Sequence, residues 1–245
     1  MDNGFEIYRV RAGGERLVQV SDPLHLKILH LLAESPLSAT EISALTEKAQ
    51  STLSVHLDTM VSQSLISYQA DMADSRKKIY SLVSDLMARS KEPDENGQSE
   101  LRRYISTTMY DSNSFYKDLL MSLFLSAESY GMDISRWTYR LGCSFADSIF
   151  EDRDNLKVED VIRDLQDFYE RNSLGEVCIY TFLPLTIIIR NCDEFSFKME
   201  SFASFSHGLF SRALTKVTGV EYSISRSEIF GTGNNYYKFI LNPVD

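Results

Sequence analysis

Three sets of residues stand out by type and spacing. The stretch AQSTLSVHLDTM, residues 49–60, combines small hydroxyls and one histidine with apolar residues at helical intervals. Short polar groups on one helix face are suited to hydrogen-bonding a nucleic acid or a partner protein. The run DSRKK places Arg76, Lys77 and Lys78 side by side, a cationic spot suited to phosphate. The third set is the cysteines, Cys143, Cys178 and Cys192. An odd number of thiols without Cys-x-x-Cys spacing argues for a reducing, cytoplasmic setting and against a disulfide framework or structural zinc site. No nucleophile elbow, phosphate-cradling loop or metal motif is legible, so the expectation is a chain without catalysis, cofactor or metal. The glycines of GTGNN, residues 231–235, lie between strand-like stretches and read as a hairpin turn. His207 stands alone before Gly208 and reads as a packing residue.

These residues sit in a chain of 245, with a formal net charge of −10, 43% hydrophobic and 24% charged residues. That is the make-up of a globular protein with room for one large domain or two ordinary ones. The longest apolar patch, residues 179–189, is broken by Pro184 and is too short to span a bilayer. The start, MDNGFEIYRV, has neither the basic opening nor the apolar stretch of a secretory signal. The acidic charge excludes a surface that binds polyanions everywhere. It leaves room for a local basic patch, because salt screens exposed charges beyond roughly 8–10 Å. Most of the excess acid lies in the second part. Residues 1–84 hold 8 Lys and Arg against 10 Asp and Glu, and residues 85–245 hold 17 against 25.

The elements that must position these groups follow from periodicity. FEIYRVRAGGERLVQV alternates and turns at Gly13-Gly14, a hairpin signal. DPLHLKILHLLAES opens with Asp22-Pro23 and puts Leu24, Ile28, Leu31 and Leu32 on one helical face. Ser38 and Glu41 have capping-box spacing ahead of Ile42 and Leu45, which predicts a second helix. The third, over QSTLSVHLDTMVSQ, directs Leu53, Leu57, Met60 and Val61 inward. SLISYQADMADSRKKIYSLV then reads as two strands about a polar turn. The polar stretch SKEPDENGQSE reads as a linker. The expected division is therefore residues 1–89 as a first domain, 90–100 as linker and 101–245 as a second domain. Beyond the linker, helices are expected over 101–130, 134–150, 158–171 and 199–218, the last closed by Gly219. Two buried strands are expected around Pro184, and a terminal hairpin over VEYSISRSEIF and YYKFIL. The fold class is α+β.

Three short helices and a hairpin form the plan of a winged helix-turn-helix, in which the third helix enters the major groove. With Leu53 and Leu57 inward, the outer face of that helix carries Ser51, Thr52, Val55, Asp58 and Thr59. Gln50, Ser54 and His56 flank it. Arg76, Lys77 and Lys78 fall at the hairpin tip, where a wing supplies phosphate contacts. The expected DNA-binding set is thus Gln50, Ser51, Thr52, Ser54, Val55 and His56 on the helix, with Arg76, Lys77 and Lys78 on the wing.

Residues 22–83 resemble an ArsR-type winged helix. The likeness rests on a D-P-x-x-x-x-I-L start, a P-L-S-x-x-E-I second helix, an S-T-x-S-x-H-L third helix and a wing ending in Y-S-L. Val55 and Asp58 stand where that family often has basic residues. Residues 115–241 resemble a vinyl-4-reductase domain, through YRLGCSFADSIF, the helix around His207-Gly208-Leu209 and the finish GNNYYKF. The fusion of the two resembles the MsvR regulators of methanogenic archaea. That resemblance implies a cytoplasmic, homodimeric repressor that binds double-stranded DNA, and a C-terminal domain that senses a redox signal or a small apolar ligand. The group's cysteines in the last hairpin correspond to Ile229 and Tyr237 here. Cys143, Cys178 and Cys192 are the remaining candidate sensing thiols. The competing expectation is a protein-interaction module with a degenerate winged helix.

Overall fold

The structure, a computed structural model, describes residues 4–71, 74, 77–108, 115–151, 156–190, 199–229 and 236–244. Arg76, Cys192 and the 231–235 turn fall outside these residues. The chain divides into two compact units, Met1–Lys91 and Glu92–Asp245.

The first unit runs β1 (Glu6–Val10), β2 (Arg16–Val20), α1 (Pro23–Glu34), β3 (Leu37–Ser38), α2 (Ala39–Thr46), α3 (Gln50–Ser62), β4 (Ile66–Ala70), β5 (Lys78–Leu82) and β6 (Asp85–Ser90). Local chemistry sets the starts of α1 and α2. The Asp22 carboxylate accepts the N–H groups of Leu24 (2.8 Å) and His25 (3.0 Å), and Pro23 occupies the first turn of α1, where its missing N–H costs nothing. The capping box of α2 is complete: the Glu41 N–H donates to Ser38 Oγ, and the Ser38 N–H donates to the Glu41 carboxylate. Glu47, in the left-handed region at φ 57°, ends α2 and turns the chain toward α3. Ala49 gives α3 no side-chain cap, so that helix is held by packing.

Strands β3, β5 and β4 form one antiparallel sheet in that order, with Tyr68 facing Tyr80 across β4 and β5. Strand β1 pairs with both β2 and β6. A single core joins Tyr8, Val10 and Val20 of this second sheet to Ile28, Leu29 and Leu32 of α1, Ile42 of α2 and Leu53, Leu57 and Met60 of α3. Four expectations change here. In α1 it is Leu29 that is buried, while Leu24 and Leu31 are half-exposed. Leu45 is 49% exposed, and Thr46 is buried in its place with its hydroxyl donating to the Ile42 carbonyl. Strand β6 was not expected. The linker is short: Ser90 ends β6 and Glu95 already starts a helix, so only residues 91–94 lie between elements.

The second unit runs α4 (Glu95–Thr108), α5 (Phe115–Ser129), β7 (Met132–Asp133), α6 (Ser135–Ile149), α7 (Val158–Arg171), β8 (Glu176–Phe182), β9 (Leu185–Arg190), α8 (Glu200–Thr218), β10 (Tyr222–Ile229) and β11 (Tyr236–Pro243). The helix expected over 101–130 is thus two, α4 and α5, joined by a buried hydrogen bond from the Tyr104 hydroxyl to Asp118 (2.7 Å). The strands make an antiparallel sheet in the order β10-β11-β9-β8. Strand β9 is buried, but β8 is an edge strand whose Tyr180 and Phe182 are exposed, which corrects the expectation of two buried strands. Helix α8 buries Phe202, Phe205, Leu209, Ala213 and Val217, as expected, and ends at Gly219 with φ 71°.

Two glycines set how α6 and α8 cross. A Cβ at Gly142 would lie 2.1 Å from the Phe205 carbonyl oxygen, and one at Gly208 would lie 1.9 Å from that of Tyr139. The helices therefore meet backbone to backbone. Helix α8 has no cap of its own. Glu128, buried on α5, accepts the N–H of Ser201 (2.6 Å) and supplies negative charge where the helix N-terminus favours it. His207, one residue before the crossing, packs edge-on against Tyr139 at 5.1 Å. Burial, then the nearby Arg226 and Arg136, push its pKa down to about 4.

Gly142→Ala forces a methyl into backbone, and we expect it to destabilise the second unit by about 2–4 kcal/mol, read as a lower urea midpoint at unchanged m-value. His207 yields a pH prediction. Its folded pKa lies below its unfolded value of about 6.5, so the unfolded chain binds the extra proton, and stability is lost as pH falls from about 6.5 toward 4. Allowing for its partial exposure, we expect the native protein to lose about 1–2 kcal/mol more than His207→Gln between pH 7 and pH 5, by urea denaturation at each pH.

Candidate nucleic-acid interface

Helix α3 follows α2 after a three-residue turn, and its inward side chains fix its rotation. Leu53, Leu57 and Met60 are fully buried. Ser51, Thr52, Ser54, Val55, Asp58 and Thr59 are exposed together on the other side. Val55 is 67% exposed, a large apolar group on an otherwise polar face. The Thr59 hydroxyl donates to the Val55 carbonyl (2.8 Å) and is occupied within its own helix. Gln50, at the helix start, donates from Nε2 to Thr40 Oγ1 (3.2 Å), which ties α3 to α2. Its amide is therefore engaged, whereas Ser51 and Thr52 are exposed at the N-terminal end of the helix.

The sequence places His56 at the flank of this face. It is half-buried, and its Nδ1 lies 3.0 Å from the Nε2 of His25 on α1, one ring donating to the other. The rings meet edge to face at 5.0 Å and 82°. The Asp22 carboxylate joins them, so that one ligand-capable atom from each of Asp22, His25 and His56 lies within 4.8 Å of the others. The signal for Asp22 and His25 in the sequence is their i, i+3 spacing at the start of α1. The approach of His56, 31 residues later, has no local signal.

On the wing, Lys77 and Lys78 are both exposed. Lys77 Nζ is 3.8 Å from Asp71, and Lys78 Nζ lies 4.2 Å above the Tyr68 ring. Both contacts are weak and exposed, so the two ammonium groups keep their charge available to solvent or to an anion.

Cys143 and Cys178 are poorly activated. Cys143 is half-buried on α6 and its thiol donates to the Gly208 carbonyl at 3.6 Å. Burial raises its pKa, against smaller opposing effects from Tyr139 and Arg212. Burial and then the Glu176 carboxylate raise that of Cys178. A raised thiol pKa leaves little thiolate, the reactive form. Tyr237 is buried and donates its hydroxyl to the Met199 carbonyl (3.1 Å).

Comparison with known proteins bears on each unit separately. Residues 22–68 match the family described as bacterial regulatory protein, arsR family, and this segment is similar to its helix-turn-helix. No curated protein matches the chain. Among solved structures, a vinyl-4-reductase family protein from Methanocaldococcus jannaschii is similar at 15% identity and a TM-score of 0.37, over 60% of this chain and 92% of that one. No helix among the described residues is long and apolar enough to cross a membrane.

The thiol environments give a prediction. With limiting iodoacetamide near neutral pH and mass-spectrometric mapping, Cys143 and Cys178 should alkylate at least about tenfold more slowly in the native protein than in urea.

Proposed function

We propose that the protein is a DNA-binding transcriptional regulator, acting as a homodimeric repressor on double-stranded DNA. The observation that supports it most is the exposed face of α3. Short polar side chains at its N-terminal end lie on a segment that matches the ArsR-family helix-turn-helix, with Lys77 and Lys78 on the adjoining hairpin. Ser51, Thr52 and Ser54 read bases and Gln50 braces the helix, while Lys77 and Lys78, with Arg76 beside them in sequence, hold phosphates. In a dimer two copies of α3 would meet half-sites about 10–10.5 base pairs apart.

Helix α5 offers the second copy a surface. Tyr116, Leu119 and Leu123 form an exposed stripe at i, i+3 and i+7, with Tyr116 86% and Leu123 63% exposed. A contiguous apolar stripe on an otherwise acidic chain favours a protein contact. The second unit receives the signal in this reading. The raised thiol pKa values of Cys143 and Cys178 favour a small apolar ligand over thiol oxidation.

A second reading, a protein-interaction module, is favoured by Val55 and Asp58. An exposed valine and an acid occupy the face that would meet phosphates. Substitutions separate the two. Lys77→Ala with Lys78→Ala should weaken binding to all duplexes by about tenfold and flatten the salt dependence. Ser51→Ala with Thr52→Ala should change sequence preference with little change in salt slope. Fluorescence anisotropy over a range of salt concentrations reads both. Equal loss from the two pairs on every duplex counts against the division of roles. No binding of any duplex, with the dimer intact, favours the interaction module.

A further inference from the structure

We propose that Asp22, His25 and His56 form a binding site for one divalent transition-metal cation of the zinc class. The three residues come from the start of α1 and the middle of α3, and their ligand-capable atoms lie within 4.8 Å of one another. The separation of the two imidazole nitrogens, 3.0 Å, is close to the edge of a tetrahedral zinc site, about 3.3 Å for metal–nitrogen bonds of about 2.05 Å. A cation would displace the hydrogen that now bridges the two rings, and each ring would turn to point its lone pair at the metal.

The chemistry of the three groups suits this cation. Two imidazoles and one carboxylate are borderline donors, matched to zinc or cobalt and poorly matched to calcium or magnesium, which take oxygen. Both cap bonds from Leu24 and His25 end on Asp22 Oδ1, and no hydrogen bond among the described residues ends on Oδ2. The same carboxylate can therefore cap α1 and face a metal. Asp22 is exposed and the two histidines are half-buried, which gives a cation a way in and leaves a fourth position for water. The N-terminal end of α1 is a poor neighbour for positive charge, and the Asp22 carboxylate offsets it. Metal binding here would fasten α3 to α1.

The test is titration of the full-length protein with Co2+ in the absence of DNA, followed by displacement with Zn2+, so that its outcome is separate from that of DNA binding. We expect one equivalent bound per chain, visible absorption of tetrahedral nitrogen–oxygen type, and an affinity about tenfold or more weaker in His25→Gln and in His56→Gln. Asp22→Asn keeps the helix cap but loses the carboxylate, so it should fold and also bind less tightly. If the histidine variants do not fold, thermal unfolding decides: Zn2+ should raise Tm in the native protein and do so much less in Asp22→Asn. No saturable binding by the native protein overturns the proposal. So does a cobalt spectrum with thiolate charge-transfer absorption, affinity unchanged in the folded variants, or an equal Zn2+-induced rise of Tm in Asp22→Asn.

Discussion

The first unit depends on one commitment, the burial of Leu53, Leu57 and Met60 on a single face of α3. Each contributes about 1.5–3 kcal/mol by leaving water, far more than any polar contact α3 makes at its surface. Their spacing fixes the rotation of the helix, and with it which side chains face outward. Ser51, Thr52, Val55 and Asp58 are exposed because the core has no room for them. The capping box of α2 and the left-handed turn at Glu47 then determine where α3 begins, and the Gln50–Thr40 contact joins its first turn to α2. The exposed face of α3 is thus held by its buried side chains and by the turn that precedes it.

The second unit is organised by close approach. Gly142 and Gly208 let α6 and α8 cross with their backbones in contact, and the same contact leaves the Gly208 carbonyl beside the Cys143 thiol. The packing that stabilises this unit also buries the groups that would carry chemistry. His207 loses its proton readily, and Cys143 keeps its own. The buried carboxylate of Glu128 belongs to the scaffold, since it caps α8.

Much of the first unit was legible in the sequence because its signals are local. Asp22-Pro23, the Ser38-x-x-Glu41 box and the inward triad on α3 each span a turn or two of helix, and the structure has all three. What was missed depends on distant pairing. Strand β6, DLMARS, has no clean alternation, and it forms because β1, some 80 residues earlier, offers an edge. Leu45 is exposed because α2 is short and its last turn buries Thr46, whose hydroxyl bonds to the Ile42 carbonyl of the same helix. The break between α4 and α5 was hidden because both carry helical periodicity. The contact of His56 with His25 is tertiary, so the sequence, which places His56 at the flank of the outer face, carries no sign of it.

The central claim is that α3 reads double-stranded DNA, and the most direct measurement compares two duplexes. The purified protein would be titrated against a labelled duplex from upstream of its own gene and against a scrambled duplex of the same composition, across a range of salt. The account predicts tighter binding to the first by about a thousandfold, with both affinities falling steeply as salt rises. Equal affinity for the two, or no binding at low salt, would contradict it and leave α3 as a surface for protein.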